Sequence, residues 1–132
     1  MITRDYINYI KLRLQTSKLI DNLEILKERA IPDQGYFRAK ITFKNGDFLE
    51  VAEFFKIENQ QCIPVTYRYQ WMDKNKQQLR KRWDNVEHFP DLPNFPHHVH
   101  IGNEFTVKPS ESRNIIQIIT LIEDEIKEKE SK

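Results

Sequence analysis

The sequence predicts a single α+β domain in which a helix, an antiparallel meander sheet of four to five strands and a second helix follow one another. Two patterns carry this prediction. Apolar residues recur at helical spacing near both ends of the chain, whereas between about residues 36 and 107 they alternate with polar residues, as in strands with one buried face. A length of 132 residues suits one domain, so residues 1–132 are assigned to it.

The first helix is predicted over about residues 4–29, with Thr3 as its N-cap and with Pro32 and Gly35 ending it. Leucines at helical spacing supply the apolar stripe that would face the core. The stripe consists of Leu12, Leu19, Leu23 and Leu26, with Tyr9 and Ile20 at its edges.

A β-hairpin is predicted next, with Asn45-Gly46 as its turn, because this dipeptide favours two-residue hairpin loops. Such a loop fixes the register and places Arg38 opposite Glu53 on the polar face. The face predicted to be buried consists of Phe37, Ala39, Ile41, Phe43, Phe48, Glu50, Ala52 and Phe54.

A second hairpin is predicted from Val65–Met72 and Gln78–Trp83, with its turn at residues 73–76. Apolar and charged residues alternate along both strands, which indicates one buried and one exposed face. The predicted buried face consists of Val65, Tyr67, Tyr69, Trp71, Leu79 and Trp83.

The opposite sheet surface would then be rich in cations. It would carry Arg38, Lys40, Glu53, Arg68, Arg80 and Arg82. Arginine side chains match the geometry of phosphate, so this surface is predicted to bind a nucleic-acid backbone, with Arg38, Arg68 and Arg82 as phosphate ligands. The alternative is an ordinary solvated sheet face, with a cross-strand ion pair between Glu53 and Arg38.

A short strand near Glu104–Val107 and a last helix over about residues 111–127 complete the chain. Pro109-Ser110 is expected to cap this helix. Its core-facing stripe consists of Ile115, Ile118, Ile119, Ile122 and Ile126.

All four histidines lie in the proline-rich segment 88–100, directly after Arg82-Trp83-Asp84-Asn85. They are His88, His97, His98 and His100. Histidine titrates near neutral pH and is the commonest neutral metal ligand, so this segment is the predicted functional site. In a first interpretation the imidazoles act as acid and base groups in RNA cleavage, with arginines around the phosphate.

Two other interpretations of the histidine segment stay open. His98 and His100 alternate on an extended chain, so with His88, Asp84 or Asp91 they could hold zinc or another divalent metal with an open coordination position. Alternatively, the prolines build a rigid loop whose histidines have a purely structural role.

Composition excludes several protein classes. The net charge of +1 argues neither for nor against a nucleic-acid partner, and Cys62 as the single cysteine excludes an intramolecular disulfide. The sequence contains no apolar run of membrane-spanning length and no signal peptide at its N-terminus, so we expect a cytoplasmic protein without membrane contact.

Several motifs of the chain resemble the TumE-type toxin family of prokaryotic toxin–antitoxin modules. The resemblance lies over about residues 35–125. It consists of Tyr67-Arg68-Tyr69-Gln70-Trp71, Arg82-Trp83-Asp84-Asn85, His88, Phe95-Pro96-His97-His98-Val99-His100 and Val107-Lys108-Pro109-Ser110. The chain departs from the family in having Phe89 where a second histidine is common, and Asn75 where glycine is common.

The resemblance implies a toxin whose partner is an antitoxin of the helix-turn-helix type. It indicates this genetic role more clearly than it indicates a reaction. The leading hypothesis is a metal-independent ribonuclease without a cofactor. Its catalytic residues would be His98, His100, His97 and Glu53, and its substrate-binding residues Arg68, Arg82, Arg38, His88 and Asp84.

Two further hypotheses compete with it, a non-enzymatic protein- or nucleic-acid-binding module and a metal-dependent hydrolase. The oligomeric state also stays open. Ile101, Phe105 and the first helix would suit a homodimer interface, and they would equally suit the core of a monomer.

Overall fold

The computed structural model describes residues 2–131, which form two helices and one antiparallel sheet. Each of its seven strands pairs with the next one along the chain, and both helices pack into a core on one sheet face. The elements are α1 (Thr3–Gln15), β1 (Ile20–Ile31), β2 (Gln34–Phe43), β3 (Phe48–Glu58), β4 (Gln61–Met72), β5 (Leu79–Asp84), β6 (His98–Ile101), β7 (Val107–Pro109) and α2 (Ile115–Glu130). The α+β class is confirmed, but the sheet is larger than predicted.

The first helix is about half as long as predicted, because residues 20–31 form strand β1. Leu23 and Ile25 pair with residues of β2 and pack against the core. Side chains that face the core therefore recur at every second residue here, as in a strand. Leu12 is 58% exposed, and the buried residues of α1 are Thr3, Tyr6, Ile7, Ile10 and Leu14. The predicted leucine stripe was wrong because its spacing fitted a helix locally while strand pairing decided the structure.

Both predicted helix caps were also wrong. Ile2 is the N-cap of α1, and the Thr3 hydroxyl instead donates a hydrogen bond of 2.6 Å to the carbonyl oxygen of Ile31. Asn114 caps α2 in a capping box with Gln117, because β7 already occupies the residues up to Pro109. The predicted isoleucine stripe of α2 is confirmed, since all five residues are buried.

The register of the β2–β3 hairpin differs by one residue from the predicted one. The Phe43 N–H donates to the carbonyl oxygen of Asp47, and the Gly46 N–H donates to that of Phe43, so the loop has three residues. Gly46 has a φ of +93°, as in a type I turn followed by a bulge. Arg38 therefore pairs with Ala52 and not with Glu53.

A slip of one residue turns every side chain of a strand to the other face. Leu49, Val51 and Phe55 are consequently buried in the core with Glu53, whereas Glu50 lies on the opposite face. The predicted buried face of the second hairpin is confirmed for Tyr67, Tyr69, Trp71 and Trp83, but Val65 is 41% exposed. Leu79 lies on the opposite face, because a register shift in β5 pairs it with Met72. Within residues 2–131, no helix is long and apolar enough to cross a membrane.

The carboxyl group of Glu53 is completely buried between the sheet and the two helices. Tyr6 of α1 donates its hydroxyl proton to Oε2 at 2.5 Å. The N–H of Ile115, the first residue of α2, donates to Oε1 at 3.0 Å. One carboxyl group on β3 thus connects both helices to the sheet.

The hydrogen bonds around Tyr69 favour the protonated form of Glu53. The Tyr69 hydroxyl lies 2.6 Å from Oε1 of Glu53 and 2.8 Å from the carbonyl oxygen of Arg113. Its single proton can serve only one of these oxygens. If Glu53 is protonated, it donates to the Tyr69 oxygen while Tyr69 donates to Arg113. Burial, the dominant cause, raises the pKa of Glu53, although the donors from Tyr6, Tyr69 and Ile115 oppose it.

Replacing Glu53→Gln should therefore change how stability depends on pH. Because the pKa of Glu53 is raised by folding, the folded state binds more protons than the unfolded state above pH 4.5, the ordinary value. The stability that Glu53 contributes is complete below that pH and falls as pH rises toward the folded pKa. Urea denaturation at several pH values should show Glu53→Gln becoming more stable relative to wild type as pH rises.

A suitable control is Glu111→Gln, which removes one negative charge from a side chain that is 77% exposed. Its stability difference from wild type should stay nearly constant across the same pH range. Parallel pH profiles for wild type and Glu53→Gln would contradict a raised pKa at Glu53.

Candidate functional site

The sheet face turned away from the helices, called the outer face below, carries a series of cations. They are Lys27, Arg29, Arg38, Lys40, Arg68 and Arg82. Arg38 is paired, since its Nη2 lies 2.6 Å from a carboxylate oxygen of Glu50. The predicted cationic face is present with Glu50 in the position predicted for Glu53, but Arg80 is not part of it. A register shift in β5 turns Arg80 to the helix side, where its Nε lies 2.8 Å from a carboxylate oxygen of Asp47.

An apolar groove with a basic rim lies on the β1–β3 side of the outer face. Its volume is about 440 Å³. Tyr36, Phe54 and Leu26 line it, and Arg29 and Arg38 are among the basic residues at its edge. Aromatic rings beside arginines provide the kind of surface on which nucleic-acid bases stack.

At the other side of the outer face, Asp84 meets two of the four histidines. His98 pairs with Asp84 across β5 and β6, and His100 lies two residues further along β6, so both imidazoles point to the same side. Nε2 of His98 lies 2.9 Å from Oδ1 of Asp84, and Nε2 of His100 lies 3.5 Å from Oδ2. The sequence had suggested that His98 and His100 belong to a loop, but both lie in strand β6.

The second nitrogen of each imidazole contacts a backbone carbonyl. Nδ1 of His98 lies 2.9 Å from the oxygen of Pro96, and Nδ1 of His100 lies 2.9 Å from the oxygen of Glu104. Asp84 is held by the N–H of Val86, at 3.1 Å from Oδ1. Each of the three side chains is therefore oriented by the backbone. Asp84, His98 and His100 are called the triad below.

A cation and an aromatic ring complete the surroundings of the triad. Nε of Arg82 lies 3.3 Å from Oδ2 of Asp84. The ring of Phe89 stands edge-on to both imidazoles, with its centroid 4.9 Å from that of His98 and 6.0 Å from that of His100. The triad is almost fully buried, with exposed fractions of 3%, 2% and 5% for Asp84, His98 and His100.

Burial also affects the titration of this segment. It lowers the pKa of His100, which Arg82 lowers further, while the Glu104 carbonyl and Asp84 oppose the change. Burial likewise lowers the pKa of His97, with a smaller contribution from His98. Both effects favour neutral imidazoles.

The remaining predicted site residues lie elsewhere. Nδ1 of His97 lies 2.8 Å from the Tyr67 hydroxyl, on the side of the sheet that faces the core. His88 is exposed, and Glu53 is buried on the helix side. Sequence reasoning missed Phe89, because no local pattern shows that this loop residue folds back over the imidazoles.

Arg68 connects to the triad through Gln70 and Arg82. Nη2 of Arg68 donates to Oε1 of Gln70 at 2.6 Å, and Nη1 of Arg82 lies 3.5 Å from the same oxygen. The structure thus brings together Arg68, Arg82 and the triad. Arg38, the third predicted phosphate ligand, lies on β2 beside the apolar groove.

Comparison with known proteins gives one match. Residues 10–130 match the model of a protein family described as Toxin TumE. No curated protein and no solved structure matches the chain. The matched region contains all seven strands, the apolar groove and the triad.

The burial of the triad predicts an order of chemical reactivity among the histidines. Exposed His88 should react first with diethyl pyrocarbonate, whereas His98 and His100 should be protected, since they are almost fully buried and Phe89 covers them. Replacing Phe89→Ala should raise the rates at His98 and His100 about 5-fold or more, as the ring that shields them is lost. Mass spectrometry of modified peptides would measure each rate.

Phe95→Ala provides the matched control, because Phe95 lies in the same loop and is 40% exposed. It should leave the protection of His98 and His100 unchanged. Equal rates at these two histidines in wild type and Phe89→Ala would show that Phe89 does not cover them in solution.

Proposed function

We propose that this chain, which belongs to the TumE toxin family and is thus the toxin component of a toxin–antitoxin system, acts on RNA by cleaving its backbone. Family membership implies an antitoxin partner. The RNA substrate, the cleavage, a helix-turn-helix antitoxin and a cytoplasmic location are parts of the proposal. The observation that carries it is the position of the triad beside Arg82, at one end of a cationic sheet face.

The outer face has the features that single-stranded RNA requires. Arg68 and Arg82 lie next to the triad and would bind backbone phosphates, because arginine pairs with phosphate through two hydrogen bonds. The apolar groove near Tyr36 and Phe54 would receive bases. Strands are about 4.8 Å apart, so β2 and β5 are separated by roughly 15 Å, a distance that a short RNA segment spans.

The triad supplies the groups that phosphodiester cleavage needs. One group must take the proton of the attacking hydroxyl, one must protonate the leaving oxygen, and cations must stabilise the charged transition state. His98 and His100 would carry the protons, Asp84 would orient them, and Arg82 would stabilise the phosphate. Phe89 would have to move aside before substrate reached the imidazoles.

Glu53 is not part of this proposal, because its burial on the helix side separates it from the outer face. His97 is also left out, since its ring contacts Tyr67 on the core-facing side. His88 remains a candidate for phosphate binding from the exposed loop.

The proposal is tested by expressing wild type, Arg68→Gln and His98→Gln/His100→Gln under tight control, and by following growth and RNA length. Wild type should stop growth and shorten RNA. The double histidine variant should do neither, yet bind RNA within about 3-fold of wild type, because the phosphate-binding arginines are intact. Arg68→Gln should weaken RNA binding about 10-fold, the loss expected for a charged hydrogen bond.

Lys18→Gln removes an exposed positive charge outside the outer face and serves as the control, with unchanged binding and toxicity. Growth arrest by wild type with full-length RNA, both in cells and with purified protein, would overturn the cleavage proposal. Such a result would favour the non-enzymatic alternative, in which the toxin acts by binding alone.

A further inference from the structure

The hydrogen bonds of the triad leave acceptor atoms of neutral imidazoles facing acceptor atoms of a carboxylate. A carbonyl oxygen only accepts hydrogen bonds, so Nδ1 of His98 and Nδ1 of His100 must both carry hydrogen. In a neutral imidazole the other nitrogen, Nε2, then has a free lone pair. Both Nε2 atoms face the oxygens of Asp84, which are also acceptors. A cation between these atoms removes the conflict.

We infer that Asp84, His98 and His100 bind one divalent transition-metal ion of the zinc type, through the two Nε2 atoms and the carboxylate. The inference does not depend on RNA being the substrate, since metal binding can occur without any substrate. It goes beyond the proposed function, because with an ion bound through both Nε2 atoms the imidazoles act as ligands, and only without the ion can they act as acid and base groups.

The distances within the triad suit such an ion. Its ligand atoms all lie within 4.8 Å of one another. Ligands at about 2.0–2.1 Å from a tetrahedral ion are separated by roughly 3.3 Å. The separations between nitrogen and oxygen here are 2.9 Å and 3.5 Å, on either side of that value. An ion could therefore enter with small shifts of the side chains.

The secondary structure holds the three ligands in place. All three side chains project from paired strands, β5 and β6, on the same face of the sheet. The carbonyls of Pro96 and Glu104 bind the distal nitrogens, which is the usual outer support of metal-bound histidine. This support selects the tautomer whose Nε2 lone pair is available for a metal.

The ligand types indicate which metals would bind. Two imidazoles and one carboxylate favour zinc, iron or manganese, whereas magnesium and calcium prefer sites made only of oxygen. Three protein ligands also leave a coordination position for water or a phosphate oxygen, as in catalytic zinc sites. Arg82 lies next to Asp84 and would attract an anion toward that position.

Protonation is the alternative way to remove the conflict. Two imidazolium groups would place two additional positive charges beside Arg82 around one buried carboxylate. With a single proton, one of the two Nε2 atoms would still face a carboxylate oxygen without hydrogen. A metal ion satisfies both imidazoles and the carboxylate at once.

The test uses the complete chain without an affinity tag, stripped with a chelator and then titrated with Co²⁺ and with Zn²⁺ in competition. We expect visible absorption of Co²⁺ with one ion per chain and displacement by Zn²⁺, but no displacement by Mg²⁺. His100→Gln and Asp84→Asn should each lower the metal affinity more than about 100-fold. This is a larger loss than that expected for a residue that only hydrogen-bonds to a metal ligand. His88→Gln and His97→Gln are the matched controls and should bind as wild type does.

A second measurement needs only the wild-type protein and therefore does not depend on the stability of the variants. Imidazole nitrogen NMR should show Zn²⁺ changing the Nε2 signals of His98 and His100, and not those of His88. Absence of a bound ion, equal affinity in His100→Gln, or changes confined to other histidines would overturn the inference. A chain that cleaves RNA without binding metal would refute the metal site alone, and one that binds metal without cleaving RNA would refute the proposed function alone.

Discussion

The loop between β2 and β3 determines the surroundings of every residue on the central strands. Gly46 adopts a positive φ and makes the loop one residue longer than Asn45-Gly46 alone would require. That one residue turns Leu49, Val51 and Glu53 toward the helices. Because side chains alternate along a strand, it simultaneously places Glu50 beside Arg38 on the outer face. The core and the cationic surface therefore depend on the same turn.

Glu53 has a structural role as a consequence of this register. A buried carboxyl group is tolerated only where its polar atoms find hydrogen-bond partners, and here Tyr6, Tyr69 and the N–H of Ile115 supply them. These partners come from α1, from β4 and from the start of α2. The group that would have been a catalytic carboxylate in the predicted register instead fixes the positions of both helices on the sheet.

The pairing of β5 with β6 has the corresponding role on the outer face. It aligns Asp84 with His98, and alternation along β6 brings His100 to the same side while His97 turns toward Tyr67. Neighbouring histidines of one segment thus have different partners, Asp84 for His98 and His100 and Tyr67 for His97. Asp84, His98 and His100 are buried together beside Arg82, whereas His88 stays on the exposed loop.

The α+β class, the meander order and the isoleucine stripe of α2 follow from the sequence alone, because local alternation and helical spacing carry them. The motifs also sufficed to indicate the toxin family. Strand β1, the hairpin register and the separation of Glu53 from the site could not be predicted, since leucine spacing and Asn45-Gly46 each fit more than one local structure. Long-range strand pairing chose among these structures, and it alone brought Asp84, His98 and His100 within coordinating distance.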